Sequence, residues 1–361
     1  MINANEETIN NNEEMPLVSI VITSFNREKY IEDAIKTSLS QNYQNIEVII
    51  SDNCSTDSTK EIIKKYLSDP RIKYYVNKTN IGMNANFLKA TNELSNGKYI
   101  TYVSSDDYLI NENFITEAII RIKKYPNIAL VHSVNMMENT FTNEKFVDSS
   151  YISLKDKFYN KDYVSGDIVF QEFPKMHSIS MGGTLFDRKK LIEIKPFNNE
   201  VLSGDVWIIL HLLQFTNVSF INKQTYMARR HQNNATGTVT KAEIYIENLK
   251  YIDDPYIYAL KNKKYDLKFL NEWHKNMYIN FCSKCIINLY KINKKEYIKF
   301  NQYLQKEKPV IYSKLKYDSK LLISKFVYFN VNTAKTYEIT RRIISKIKDK
   351  LVKGYQYDNK N

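Results

Sequence analysis

Residues 18–59 read VSIVITSFNREKYIEDAIKTSLSQNYQNIEVIISDNCSTDST, and the order of patterns inside this stretch decides the fold class. Residues 18–23 are a continuous apolar, β-branched run, the composition of a strand buried on both faces. The segment Ser24-Phe25-Asn26 ends it. From Tyr30 onward the apolar positions Ile31, Ala34, Ile35 and Leu39 recur at helical spacing, and residues 46–51 (IEVIIS) make a second strand stopped by Asp52. Two fully apolar strands joined by an amphipathic helix form a β-α-β unit with parallel strands.

Working outward, Ser58 and Glu61 have the spacing of a capping box that opens the next helix. A third strand at 72–76 leads through Asn80-Ile81-Gly82 into a helix near 83–95. Residues 99–104 (YITYVS) make a fourth strand that ends at Ser105-Asp106-Asp107. This alternation predicts an α/β fold of the Rossmann-like kind, an open and mostly parallel sheet flanked by helices, in which ligands bind outside the carboxyl ends of the strands. Ser24 and Asn26, Asp52, and Asp106 with Asp107 would then converge on one edge. No repeat with a period of 20 to 50 residues is visible.

At 361 residues the chain exceeds one ordinary domain, so a catalytic domain of roughly 230 residues with a smaller second unit is expected. Hydrophobic residues at 43% and charged residues at 25% exclude wholesale disorder. Charge is unevenly placed: residues 1–240 carry a net −2 and residues 241–361 a net +14, and that last third holds 15 of the 28 tyrosines. The boundaries read as a disordered leader at 1–15, an α/β domain at 16–240 and a basic, Tyr-rich helical region at 241–361. The polar, acidic start is not a signal peptide, and no apolar run reaches membrane-spanning length, so a cytoplasmic protein is expected, working at the inner face of the cell membrane if it meets a lipid. Cys54, Cys282 and Cys285 give no disulfide framework, and Cys282-x-x-Cys285 lacks the second ligand pair that a closed zinc site needs.

The first strand runs into Ser-Phe-Asn and not into a Gly-rich turn, which excludes the dinucleotide fingerprint and the P-loop. The segment SFNREKY likewise lacks the Gly-rich, cation-bearing loop of a sugar-phosphate nucleotidyltransferase. What remains at the strand ends is acidic, and carboxylates hold an anionic diphosphate only with a divalent cation between them.

The stretch at 18–59, then NIGMNANFLKA (80–90) and GKYITYVSSDDYL (97–109), resembles the donor-binding half of family 2 glycosyltransferases of the GT-A fold over about 110 residues. MGGTLFDRKKLIEI (181–194), LSGDVWIILHLL (202–213) and MARRHQNNAT (227–236) resemble, in order, the family's acceptor-side Gly-Gly segment, its acidic catalytic segment and its closing Arg-x-His segment. The resemblance implies a donor half at 16–135 and an acceptor half at 136–240. It implies nucleotide-sugar contacts from Thr23, Ser24, Asn26, Asp52, Gly82, Asn84, Ser105, Asp106, Gly182, Gly183 and Arg229, with Asp52 reading the base edge.

For a Mn²⁺ or Mg²⁺ cofactor the resemblance implies Asp106, Asp107 and His231. The family's first Asp of its Asp-x-Asp falls on Ser104, so one acceptor is missing. Gly182-Gly183 would let backbone approach the sugar where a side chain would collide. Asp205, before the apolar run 206–213, matches the general base, and its competing reading is a cap for that helix. Arg229 would supply a cation for the diphosphate.

The implied reaction is inverting transfer from a nucleoside diphosphate sugar, a UDP-sugar foremost, to a hydroxyl of a cell-surface glycan or lipid-linked acceptor. The alternative is a non-catalytic nucleotide-sugar or glycan-binding module of the same fold, for which Ser104 argues and against which Asp106, Asp205 and His231 argue together. No nucleic-acid partner is expected, since the basic third holds no recognition module. In residues 333–354, Ile339, Ile343, Ile344, Ile347 and Leu351 share a helical face ringed by lysines and arginines. Two readings stand for it: peripheral contact with an anionic membrane, or a helical lid or dimer contact.

Overall fold

The computed structural model describes residues 15–315 except 149–150, 152–153, 177–178, 197–203, 233 and 235–238. Residues 1–14 of the expected leader and the basic helix expected at 333–354 lie outside the described residues.

The strands are β1 (Val18–Ser24), β2 (Ile46–Asp52), β3 (Ile72–Val76), β4 (Tyr99–Tyr102), β5 (Tyr108–Leu109), β6 (Ile128–Asn139), β7 (Glu144–Val147), β8 (Val164–Ser165), β9 (Thr184–Asp187) and β10 (Asn217–Arg230). They form one mixed sheet in the order β3-β2-β1-β4-β9-β6-β10-β5, with β7 on β6 and β8 on β10. The half nearest the N-terminus is parallel, β2 and β4 flanking β1 and β3 pairing β2. In the other half β9 joins antiparallel to both β4 and β6, and β6 pairs parallel with β10. β1 and β2 are buried almost throughout because helices cover both faces of a parallel sheet. On one face Ile20, Ile22, Val48 and Ile50 pack with Ile31, Ala34 and Ile35 of the helix Ile31–Leu39 and with Phe114, Ile115, Ala118 and Ile119 of the helix Phe114–Lys124.

Three local expectations change. The capping box at Ser58 does not form: Asp57 accepts the Thr59 N–H (3.1 Å) and Glu28 accepts the Ser58 N–H (3.0 Å), so the neighbouring loop caps this helix. The fourth strand ends at Tyr102 and not at 104, because the Asp107 N–H turns back onto the Ser104 carbonyl (2.9 Å). The helix near 83–95 is α-helical over Met83–Lys89 and widens to a π turn over Ala90–Leu94, where Ser95 N–H reaches the Ala90 carbonyl.

Two compact units divide the chain: Met1–Thr238 with Glu247–Trp273, and Val239–Ile246 with His274–Asn361. The boundary near 240 is thus interrupted, since 247–273 groups with the first unit. The described part of the second unit is helical, with Tyr278, Cys282, Cys285, Leu289, Phe300 and Leu304 buried. Neither cysteine is in a disulfide, and burial pushes the thiol of Cys285 well up. Among the described residues no helix is long and apolar enough to cross a membrane.

Candidate active site

The carboxyl ends of β1, β2 and β4 bring the sequence-derived donor residues to one edge, because the parallel register sets Ser24 beside Asp52 and stops β4 just before the Ser104–Asp107 turn. Asn26, in the left-handed region at φ +54°, ties two loops together: its N–H donates to Ser55 Oγ (2.9 Å) and its Oδ1 accepts the Thr56 N–H (2.8 Å). Thr23 is half-buried, and Ser24 Oγ is buried with no hydrogen-bond partner among the described residues. Gly82, at φ +88°, precedes the helix Met83–Lys89, in whose first turn Asn84 is half-buried; Ser105 is buried.

Asp52 is only 1% exposed, its Oδ1 taking the Ser55 N–H (2.9 Å) and hydroxyl (2.6 Å) and its Oδ2 the Tyr74 hydroxyl (2.8 Å). These three bonds leave the carboxylate about one further lone-pair site, so a base can be read there without breaking any of them, provided the loops around this buried side chain let it approach. A second polar layer, absent from the sequence reading, supports this edge. Buried Asn86 accepts from Ser51 (2.7 Å) and Asn77 (2.9 Å) and donates to the Ser51 carbonyl (3.0 Å).

The acidic turn after β4 separates its two carboxylates. Asp106 Oδ2 lies 2.9 Å from His231 Nε2 and 3.6 Å from Arg27 Nε. His231 stacks on Tyr30, ring centroids 4.8 Å apart. Asp107 turns inward instead, accepting the Tyr226 hydroxyl (2.8 Å) and the Arg229 N–H (2.8 Å), and burial together with the Asp106 charge raises its pKa to about 7.

The expected trio of metal ligands is therefore corrected: Asp107 anchors β10, and among the described residues no group of three His, Cys, Asp or Glu is arranged for a metal. Asp106 and His231 remain together as one oxygen and one nitrogen donor. That set suits a divalent ion whose other positions are filled by water and phosphate oxygens.

Arg229 is also corrected. Its guanidinium donates to Glu138 (3.1 Å) and to Asp33, and lies 4.3 Å from the centroid of Tyr108 and 5.4 Å from that of Tyr30. Two carboxylates and two rings already satisfy this cation, so it braces the site and is not open to a diphosphate. Arg27 is the cation that faces Asp106. It follows Asn26 directly, and a cation in the loop that leaves a central parallel strand was the signal that could have found it.

The reason for Gly182-Gly183 changes as well. A Cβ at Gly182 would stand 2.5 Å from the Tyr226 ring, and one at Gly183, at φ +66°, would stand 2.3 Å from Asn135 Oδ1. Protein thus fills the space where a side chain at either position would stand. Gly183→Ala should lose about 2–4 kcal/mol of stability from left-handed strain and overpacking together, measured as a lowered denaturant midpoint at unchanged slope. A loss below half a kcal/mol would show that the turn yields freely.

Asp205 sits in the first turn of the helix Gly204–Leu212, where its Oδ1 accepts the Val206 N–H (2.8 Å). Enclosure of the carboxyl pushes its pKa up. No hydrogen bond or ion pair among the described residues joins it to the Asp106 cluster.

Residues 19–194 match the family model described as glycosyl transferase family 2. The chain carries a family 2 glycosyltransferase domain. Over 204 residues it is 28% identical to the GalNAc(5)-diNAcBac-PP-undecaprenol beta-1,3-glucosyltransferase of Campylobacter jejuni, covering 55% of this chain and 60% of that protein. Over 96 residues it is 40% identical to the UDP-Glc:alpha-D-GlcNAc-diphosphoundecaprenol beta-1,3-glucosyltransferase WfaP of Escherichia coli, covering 27% of this chain and 38% of that protein. The chain thus spans less than two thirds of either relative. The crystal structure of S. aureus TarS 1–349 in complex with UDP-GlcNAc superposes with a TM-score of 0.61 at 18% identity, over 80% of this chain and 79% of that one. That likeness shows the GT-A fold of the family 2 domain.

Proposed function

We propose that the chain transfers a glycosyl group, with inversion, from a UDP-sugar to a hydroxyl of a lipid-linked cell-envelope acceptor at the inner face of the membrane. The observation that carries this reading is the grouping of Arg27, Asp106 and His231 at the carboxyl end of the parallel strands. A cation, a carboxylate and an imidazole there can hold a diphosphate with its metal. The donor and acceptor classes are supported by the names of the two curated relatives and of TarS.

In the reaction the acceptor oxygen forms a bond to the anomeric carbon while the bond to the donor phosphate oxygen breaks. Asp205 takes the acceptor proton, and its raised pKa makes it a stronger base than an ordinary Asp. Arg27 stabilises negative charge on the departing nucleoside diphosphate. Asp106 and His231 would hold a Mn²⁺ or Mg²⁺ ion, which when bound neutralises that same charge.

The test is a panel of nucleotide sugars, each offered with and without Mn²⁺ or Mg²⁺ and with a sugar on a polyprenyl diphosphate, with product detected by mass. Donor binding without any product would leave a binding module. Arg27→Ala should weaken UDP binding about ten- to a hundredfold, the loss of one charge-assisted bond. Calorimetric titration that finds unchanged affinity would return the diphosphate contact to another cation.

A further inference from the structure

The hairpin of β6 and β7 rises from the strand end that holds Glu138 and is tied to the site by the Thr140 N–H, which donates to the Arg230 carbonyl (3.1 Å). Its tip fixes its own shape. The Asn143 N–H reaches the Asn139 carbonyl (2.7 Å), Asn139 Oδ1 takes the Phe141 N–H (3.0 Å), and Asn143 sits at φ +57°. None of these bonds needs the Phe141 ring, which is 64% exposed.

Phe146, on β7, is 40% exposed, and the Arg230 guanidinium lies 5.5 Å from its ring centroid. Arg230 is exposed and has no carboxylate partner among the described residues. Lys145 is neutralised by Glu138 (3.3 Å), and the acid of the tip, Glu144, accepts the Thr142 hydroxyl (3.2 Å).

Turn positions ordinarily take polar residues. A Phe held open by a turn that does not use it forgoes the stabilisation that burial of its ring would return. Two open rings beside an uncompensated guanidinium match the boundary of an anionic bilayer, where aromatic rings settle at headgroup depth and cations meet lipid phosphate.

We propose that the β6–β7 tip docks on an anionic membrane surface, with Phe141 and Phe146 at the headgroup boundary and Arg230 on lipid phosphate. The proposal rests on the lipid-linked acceptor reading and gives it a place. The tip adjoins Arg230 and His231, so docking brings the membrane to the strand end that carries the site.

The test is emission from the Phe141→Trp variant, read against the parent with Trp207 and Trp273, as vesicles of phosphatidylglycerol and phosphatidylcholine are added. A blue shift, with quenching by lipids brominated near the headgroup, is expected. Phe141→Ser/Phe146→Ser should lower vesicle affinity on the order of ten- to a hundredfold while its melting and donor hydrolysis stay at parent level. Vesicle binding without a change in the emission of Phe141→Trp would assign the contact to another surface, such as the basic C-terminal third, and overturn the proposal. A shift that follows protein concentration without lipid would mean contact with a second copy, and overturns it too. Because the emission needs no turnover, failure of the proposed reaction and failure of the docking surface are read separately.

Discussion

Asp106→Ala should lower kcat/KM for transfer by about 10³-fold or more and remove the metal dependence of UDP binding. Asp106 is the carboxylate at the strand end that keeps an outward partner, His231 at 2.9 Å, while Asp107 is engaged by Tyr226 and Arg229. With Asp106 gone, His231 alone cannot hold a hard divalent ion, and Ser104 offers no carboxylate in its place. Metal-free UDP binding should persist, since Arg27 loses the charge that partly neutralised it. The variant should fold, because the inward anchor Asp107 is untouched. The measurement is transfer with Mn²⁺ and with Mg²⁺, paired with UDP titrations with and without metal. Turnover within tenfold of the parent would remove the metal site from this position.

Asp205→Asn should lower kcat by about 10²- to 10⁴-fold and leave UDP affinity within a few-fold. The amide keeps the shape of the side chain and its bond from the Val206 N–H, but cannot take a proton. Burial raises the pKa of Asp205, and only the deprotonated form is a base. The rate should therefore fall as pH drops through a value above the ordinary range of about 4 for Asp, and that acid limb should vanish from the residual activity of the variant. Equal losses in UDP affinity and rate would make Asp205 a donor-side or structural residue.

Residues 18–59 were legible because hydrophobic periodicity is local: two β-branched runs around an amphipathic helix leave one architecture in which all three bury their apolar faces. Polar residues at the ends of such strands were legible for the same reason, so Ser24, Asn26, Asp52 and Asp106 were expected on one edge. The capping box at Ser58 misled because two local donors and acceptors at the right spacing still compete with distant ones, here Glu28 from the loop after β1.

What sequence could not reach is the division of labour among charges of the same type. Asp106 and Asp107 are neighbours in the chain, yet β10 crosses behind only one of them, so Tyr226 and the Arg229 N–H draw Asp107 inward and leave Asp106 to face the site. Arg229 and Arg27 look alike in sequence. Glu138, 91 residues before Arg229, and Asp33, 196 residues before it, close on Arg229, while Arg27 is left facing Asp106. Gly182 and Gly183 were expected for close backbone approach to a sugar, and the ring of Tyr226 and the amide of Asn135 add a packing reason, since they stand where a side chain would be. The sequence by itself determined the parallel β-α-β core and the strand edge where chemistry gathers, since both follow from periodicity and strand direction. Only the tertiary structure decided which carboxylate faces outward, which arginine faces Asp106 and what packs against the glycines, because those outcomes depend on charge pairing and packing between segments that the fold alone brings together.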